Sequence, residues 1–164
     1  WVVCYHRASH NSRANRRMCM EKITVLPDGT IPEVKMTSQG LGEPFRAGER
    51  MEGFRVCGLT GGAYVGGPFE DERIVNLSAG CEMIFRYLDG TETYKAAELE
   101  GTGRGELEIR LDGHPVGVFC LEGDGTARAG LHMEGLEKKA GGYEIRLVCR
   151  KAENLEIRSL TFQN

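Results

Sequence analysis

Strict apolar/polar alternation in short runs, separated by Asp-Gly pairs, constrains this chain more than any other feature. In "GELEIRL", Leu107, Ile109 and Leu111 fall on one face and Glu106, Glu108 and Arg110 on the other, a period of two that only a half-buried strand satisfies. "YEIRLVC" repeats the pattern with Ile145, Leu147 and Cys149 inward, and "EMIFRYL" aligns Met83, Phe85 and Tyr87. Four pairs, Asp28-Gly29, Asp89-Gly90, Asp112-Gly113 and Asp124-Gly125, mark reversals, because glycine accepts the positive φ of tight hairpin turns. Helical periodicity is nearly absent. The fold class expected is all-β, with a C-terminal region of eight or nine antiparallel strands arranged as a two-sheet jelly-roll sandwich.

Two irregularities qualify the pattern. In "LEIRSLTF", Leu155 and Ile157 share one phase while Leu160 and Phe162 share the other, so a β-bulge is expected near Arg158 or Ser159. The glycine-rich stretch 40–53 has little periodicity and reads as a linker, placed at 43–53. Before it, residues 1–42 carry three expected strands, Val2 to Tyr5, Cys19 to Val25 and Val34 to Thr37, too few to hold a core alone. The sandwich is then expected over 54–164. Because Trp1 stands directly inside a strand pattern, the chain reads as a piece of a longer one.

Composition narrows function mainly by exclusion. With a net charge of -3, the basic residues Arg7, Arg13, Arg16, Arg17 and Lys22 read as a solvated loop, and nucleic acid is not an expected partner. No apolar run approaches the ~20 residues of a membrane span. The six cysteines are dispersed through apolar patterns, without CxxC spacing, so reduced thiols, a cytoplasmic setting and no zinc site are expected. "GTGRG" at 101–105 lacks the Lys-Ser/Thr pair of a phosphate loop and reads as a connection between strands. His114 and His132 are isolated.

"CYHR" at 4–7, the second strand around Arg17 to Ile23, and the Asp28-Gly29 turn leading to a Thr-containing strand together resemble the last propeller blade of family 43 glycoside hydrolases. Beyond them, "GCEMIFRYLDG", "GGYEIRLVC" and "LEIRSLTF" resemble strands of the β-sandwich related to family 6 carbohydrate-binding modules. The resemblance implies the C-terminal accessory region of an enzyme acting on arabinofuranosides or xylosides of plant polysaccharide. Its partners would be the catalytic propeller and plant oligosaccharides. The catalytic carboxylates of an inverting mechanism lie in earlier blades, so no catalytic residue is assigned here.

The resemblance also marks candidate residues. His6 and Arg7 are expected near the substrate pocket or central ion of an intact propeller. Tyr64 in "GGAYVGG" is the candidate sugar platform, because a sugar-ring face stacks on an aromatic. Counting back from Phe162, Glu156 takes the position of the module family's asparagine, with Asn154 as its neighbour, and Arg158 that of a calcium-holding aspartate. Calcium is thereby expected only in the parent enzyme, and no cofactor or metal in this chain. The alternative reading is an autonomous carbohydrate-binding module for xylan or arabinoxylan.

Overall fold

A computed structural model describes residues 1–164. Strands β1 (Val2–Ser9) and β2 (Ser12–Lys22) form an antiparallel hairpin that is a sheet of its own. The other nine strands form the sandwich: β3 (Arg50–Glu52), β4 (Gly58–Leu59), β5 (Tyr64–Gly66), β6 (Arg73–Val75), β7 (Glu82–Leu88), β8 (Ala96–Leu111), β9 (His114–Glu122), β10 (Gly125–Gly130) and β11 (Tyr143–Gln163). A single 3₁₀ turn, Gly53–Arg55, interrupts the strands, and no helix is long and apolar enough to cross a membrane.

Two long strands organise the sandwich. β8 and β11 pair along their whole length, β8 being 16 residues and β11 21. Near β11's start they carry β7 and β9, and near its end β3, β6 and β10, so both strands pass from one packed layer to the other. "YEIRLVC" and "LEIRSLTF" are therefore two halves of one strand. "GTGRG" does not connect strands either: it is the corner inside β8, opposite Asn154 in β11. The bulge expected near Arg158 lies between Ile157 and Ser159.

The alternating residues fill a core cluster of 30 side chains, with Phe85, Phe119, Ile109, Ile145 and Leu147 fully inaccessible. Burying each such side chain contributes about 1.5–3 kcal/mol. Asp112-Gly113 makes the tight β8–β9 hairpin, both residues having positive φ (48° and 85°). Asp28-Gly29 and Asp89-Gly90 also turn the chain, but between segments that do not pair with each other; in both, the aspartate caps a threonine two residues on.

Three further differences from the sequence reading concern the N-terminal third. Val34–Thr37 forms no strand, so residues 1–42 carry two strands and not three. Pro32 offers no N–H to a ladder, and Thr37 instead gives its N–H to the Glu21 carboxylate at 2.7 Å. The basic residues Arg13, Arg16 and Arg17 stand in β2, because the turn is confined to His10-Asn11, both at positive φ. Residues 43–53 are built into the sandwich: Phe45 and Met51 enter its core, and β3 pairs with β11. These apolar residues are too widely spaced to show a period.

Candidate functional site

The hairpin turns one face, Tyr5, Arg7, Arg17 and Glu21, toward the sandwich, and this junction gathers a cluster of partly buried polar groups. Arg7 donates from Nη2 to Phe54 O at 2.6 Å and from Nη1 to Val56 O, gripping the 3₁₀ turn. Arg17 lies over the Phe54 ring, 4.3 Å from its centre, and pairs with Glu72, whose side chain is 6 % exposed. Burial, and then the neighbouring Arg7 and Arg55 cations, lower the Arg17 pKa from its ordinary value. The His10 backbone N–H reaches Val65 O at 2.7 Å, covering the open edge of β5. Its Nε2 sits 2.9 Å from Gly67 O, which fixes the proton on that nitrogen, since a carbonyl only accepts.

Glu21 is the hub of the same junction. Almost wholly buried, its carboxylate accepts from Tyr5 Oη at 3.2 Å, from Thr37 N at 2.7 Å and from Thr37 Oγ1 at 2.7 Å. Burial, and secondarily the Glu21 charge, raises the Tyr5 phenol well above its ordinary pKa, so it remains a donor.

Of the residues singled out from sequence, Arg7 and Tyr64 are brought together. They line one hollow of about 280 Å³ between the hairpin and β4–β5, with Ser9, Asn11, Cys57 and Leu59 among its other walls. Tyr64 is half-buried beside Gly66, whose missing side chain leaves room for the ring: a Cβ there would stand 2.9 Å from Tyr64 Cε2. His6 is on the opposite face of β1, exposed and across from Met18. Asn154 is exposed at the β8–β11 corner with φ 50°, a backbone role that asparagine tolerates well. Glu156 accepts from Arg73 Nε at 2.5 Å. Arg158 lies 3.4 Å from Asp71, so both local carboxylates face guanidinium groups, and this donor set does not fit calcium, which takes oxygen ligands.

Sequence reasoning passed over Glu21, Glu72 and Phe69, and it read Arg17, here held between Phe54 and Glu72, as part of a solvated loop. Phe69, 74 % exposed, packs its ring 4.8 Å from that of His10. A lone phenylalanine in "GGPFED" was a readable signal; the Arg17–Glu72 pair, 55 positions apart, was not.

The solvent face of the β7–β11–β8 layer is tiled with cross-strand ion pairs: Arg86–Glu144 at 2.8 Å, Arg146–Glu82 at 2.7 Å and Arg150–Glu108 at 2.6 Å. Burial would raise Glu144, but Arg86 and Arg146 outweigh it and hold its pKa below the usual range. Arg150 and Arg110 lower Glu108 in the same way. Carboxylates depressed in the folded state lend stability that is full above the unfolded pKa, about 4.3, and lost as pH falls through their lower folded values. Urea midpoints should therefore hold steady from neutral to about pH 5 and drop below about pH 4. Glu144→Gln should flatten that drop; an unchanged slope would show that the pair carries none of it.

No family model matches the chain. A xylosidase/arabinosidase of Thermoclostridium stercorarium is 29 % identical over 149 residues, covering 74 % of this chain, which spans 31 % of that protein. Among solved structures, a family 43 arabinoxylan arabinofuranohydrolase from Bacillus subtilis, in complex with cellotetraose, aligns with all of this chain over 38 % of its own, at TM-score 0.65 and 17 % identity. A family 6 carbohydrate-binding module from Clostridium cellulolyticum, bound to xylose, aligns over its whole length with 73 % of this chain (TM-score 0.59, 19 % identity). A module from Clostridium stercorarium, bound to cellobiose, aligns over 99 % of itself and 76 % of this chain (TM-score 0.61, 13 % identity). In sequence the chain is similar to part of a xylosidase/arabinosidase, and in fold it is similar to part of a family 43 arabinoxylan arabinofuranohydrolase and, over its sandwich, to family 6 carbohydrate-binding modules.

Proposed function

We propose that the chain is the accessory region of a hydrolase acting on arabinofuranosides or xylosides of plant polysaccharide, and that it supports a catalytic propeller through its hairpin. One observation carries the reading. Of the ten exposed large apolar side chains, eight lie within the first 41 residues: Trp1, Val2, Met18, Val25, Leu26, Ile31, Val34 and Leu41. That concentration in the hairpin and the residues that follow it, rather than over the sandwich, is what supports a contact surface in this part of the chain. The sandwich contributes only Phe69 and Val118 to that set. Six free thiols suit a reducing, cytoplasmic compartment.

The chain alone is expected to release no sugar from nitrophenyl arabinofuranoside or xyloside, and to bind a hydrophobic-surface dye. Val2→Glu combined with Met18→Glu should measurably lower that dye signal while changing stability by under about 1 kcal/mol. Hydrolysis by the isolated chain, or dye binding indifferent to both substitutions, would contradict the proposal. The exposed Phe69 ring favours a second reading as an autonomous sugar binder. Calorimetry with arabinoxylan separates the two, because heat abolished by Phe69→Ala or Tyr64→Ala would identify a binder.

A further inference from the structure

β7 and β11 pair in a register that includes Leu147↔Met83 and Val148↔Glu82. One step beyond that ladder, Cys81 and Cys149 stand opposite each other: Cys149 N–H donates to Cys81 O at 2.9 Å, and Cys149 O accepts from Gly80 N at 2.8 Å. Opposed residues bonded in this way keep their Cα atoms about 5.5 Å apart, within the roughly 4.4–6.8 Å that a disulfide spans. Both side chains enter the core, Cys81 at 0 % and Cys149 at 1 % exposure, so they project from the same face of the pair. Burial, and then the neighbouring Cys81 thiol, raise the pKa of Cys149, an influence that only near neighbours exert.

No other two of the six cysteines are opposed. Cys4, Cys19 and Cys120 face Met20, Tyr5 and Glu106 across their strands, and Cys57 gives its backbone N–H to Ile84 O. The two sulfurs make only weak hydrogen bonds: Cys81 Sγ accepts from Ser78 N at 3.4 Å, and Cys149 Sγ donates to Lys151 O at 3.4 Å. Their cover is thin as well. A Cβ on Gly61 would lie 2.7 Å from Cys81 Sγ, so a turn of two glycines, Gly61 and Gly62, rests directly on that sulfur. We propose that Cys81 and Cys149 form a cross-strand disulfide when the chain meets a disulfide oxidant, locking β7 to β11. The Cys81 thiolate attacks one sulfur of glutathione disulfide and expels a glutathione thiolate; the Cys149 thiolate then attacks the Cys81 sulfur of the mixed disulfide and expels the second. The two cysteine protons end on the two released glutathiones. In a reducing compartment the pair stays open, and it closes on passage to an oxidising one.

The inference is independent of the accessory reading, since both residues belong to the sandwich. In the test, the folded, reduced chain is held with glutathione disulfide in urea just below its unfolding midpoint, where the core opens transiently. Free thiols are then blocked with iodoacetamide and the tryptic peptides mapped. Each cysteine falls in a different tryptic peptide, so every linkage is read separately. The expected main product joins peptides 74–86 and 147–150 with the loss of two hydrogens. Because the bridge closes a long loop, the unfolding constant should fall about a hundredfold. Cys81→Ser or Cys149→Ser should abolish the linked peptide, whereas Cys57→Ser, which removes the third buried thiol, should keep it. If peptide 74–86 stays unlinked, if it joins another partner as the main product, or if the bridged chain unfolds more readily than the reduced one, the opposed pair is not a disulfide site. None of these results alters the dye and hydrolysis measurements on which the accessory reading stands.

Discussion

Gly103→Ala is expected to destabilise the sandwich by about 3 kcal/mol or more in urea unfolding, an effect large enough to deplete the folded state. Two costs add. The backbone at 103 has φ 81°, where any side chain costs about 1–2 kcal/mol. A Cβ there would also be driven into the Asn154 carbonyl, with Glu153 O only 2.8 Å away. These are backbone atoms of β11, fixed by the ladder on both sides of the corner, so they cannot yield as a side chain would. Gly113→Ala provides the comparison, because its φ of 85° imposes the same conformational cost with nothing within 4 Å of the added carbon. It should lose only about 1 kcal/mol. Equal losses for the two variants would mean that crowding at the corner contributes nothing.

The corner also shows what was and was not legible in the residues. Alternation in "GELEIRL", "EMIFRYL" and "YEIRLVC" revealed the strands and most of the inward faces, because a period of two is local and each run is half-buried; at the end of "EMIFRYL" the phase slips, and Leu88 is buried in place of Tyr87. The bulge near Arg158 was readable for the same reason: a phase change is written in the sequence. That "GTGRG" continues a strand was not, because its glycines answer to Glu153, Asn154 and Glu156, some fifty residues away. Val34–Thr37 alternates like a strand yet forms none, since pairing needs a partner edge as well as a pattern. At the junction, Arg7 was singled out by resemblance and is found holding backbone carbonyls of Phe54 and Val56. Nothing near it in sequence points to that contact. Tyr64 was found by its glycine context and does line a hollow, but the partner that shapes the hollow is the hairpin.

Loss of the Glu21 carboxylate should loosen the hairpin, still tethered by Arg7, His10 and Arg17, without unfolding the sandwich. Glu21→Ala removes acceptors from Thr37 N, Thr37 Oγ1 and Tyr5 Oη in an almost inaccessible place. Leaving these three part-buried donors short of their acceptor costs about 2–4 kcal/mol. The loss should be local, because Glu21 acts through residues 36–39 as a joint. Thr37 fastens that segment to β2, while Ser38 Oγ accepts from Arg86 N at 3.0 Å and Gln39 Oε1 from Tyr87 N at 2.7 Å, fastening it to β7. Hydrogen exchange should therefore accelerate through β1, β2 and the Thr37 amide while β8 and β11 keep their protection. Glu21→Gln retains one carbonyl oxygen for Thr37 N and should lose less than half as much. If the alanine and glutamine variants behave alike, the carboxylate is not the hub; if exchange rises equally across β8 and β11, the hairpin is not a separable unit. Under the proposed accessory role, the local outcome has a functional consequence: a hairpin that swings free of the sandwich could not hold the sandwich in one fixed relation to a neighbouring domain.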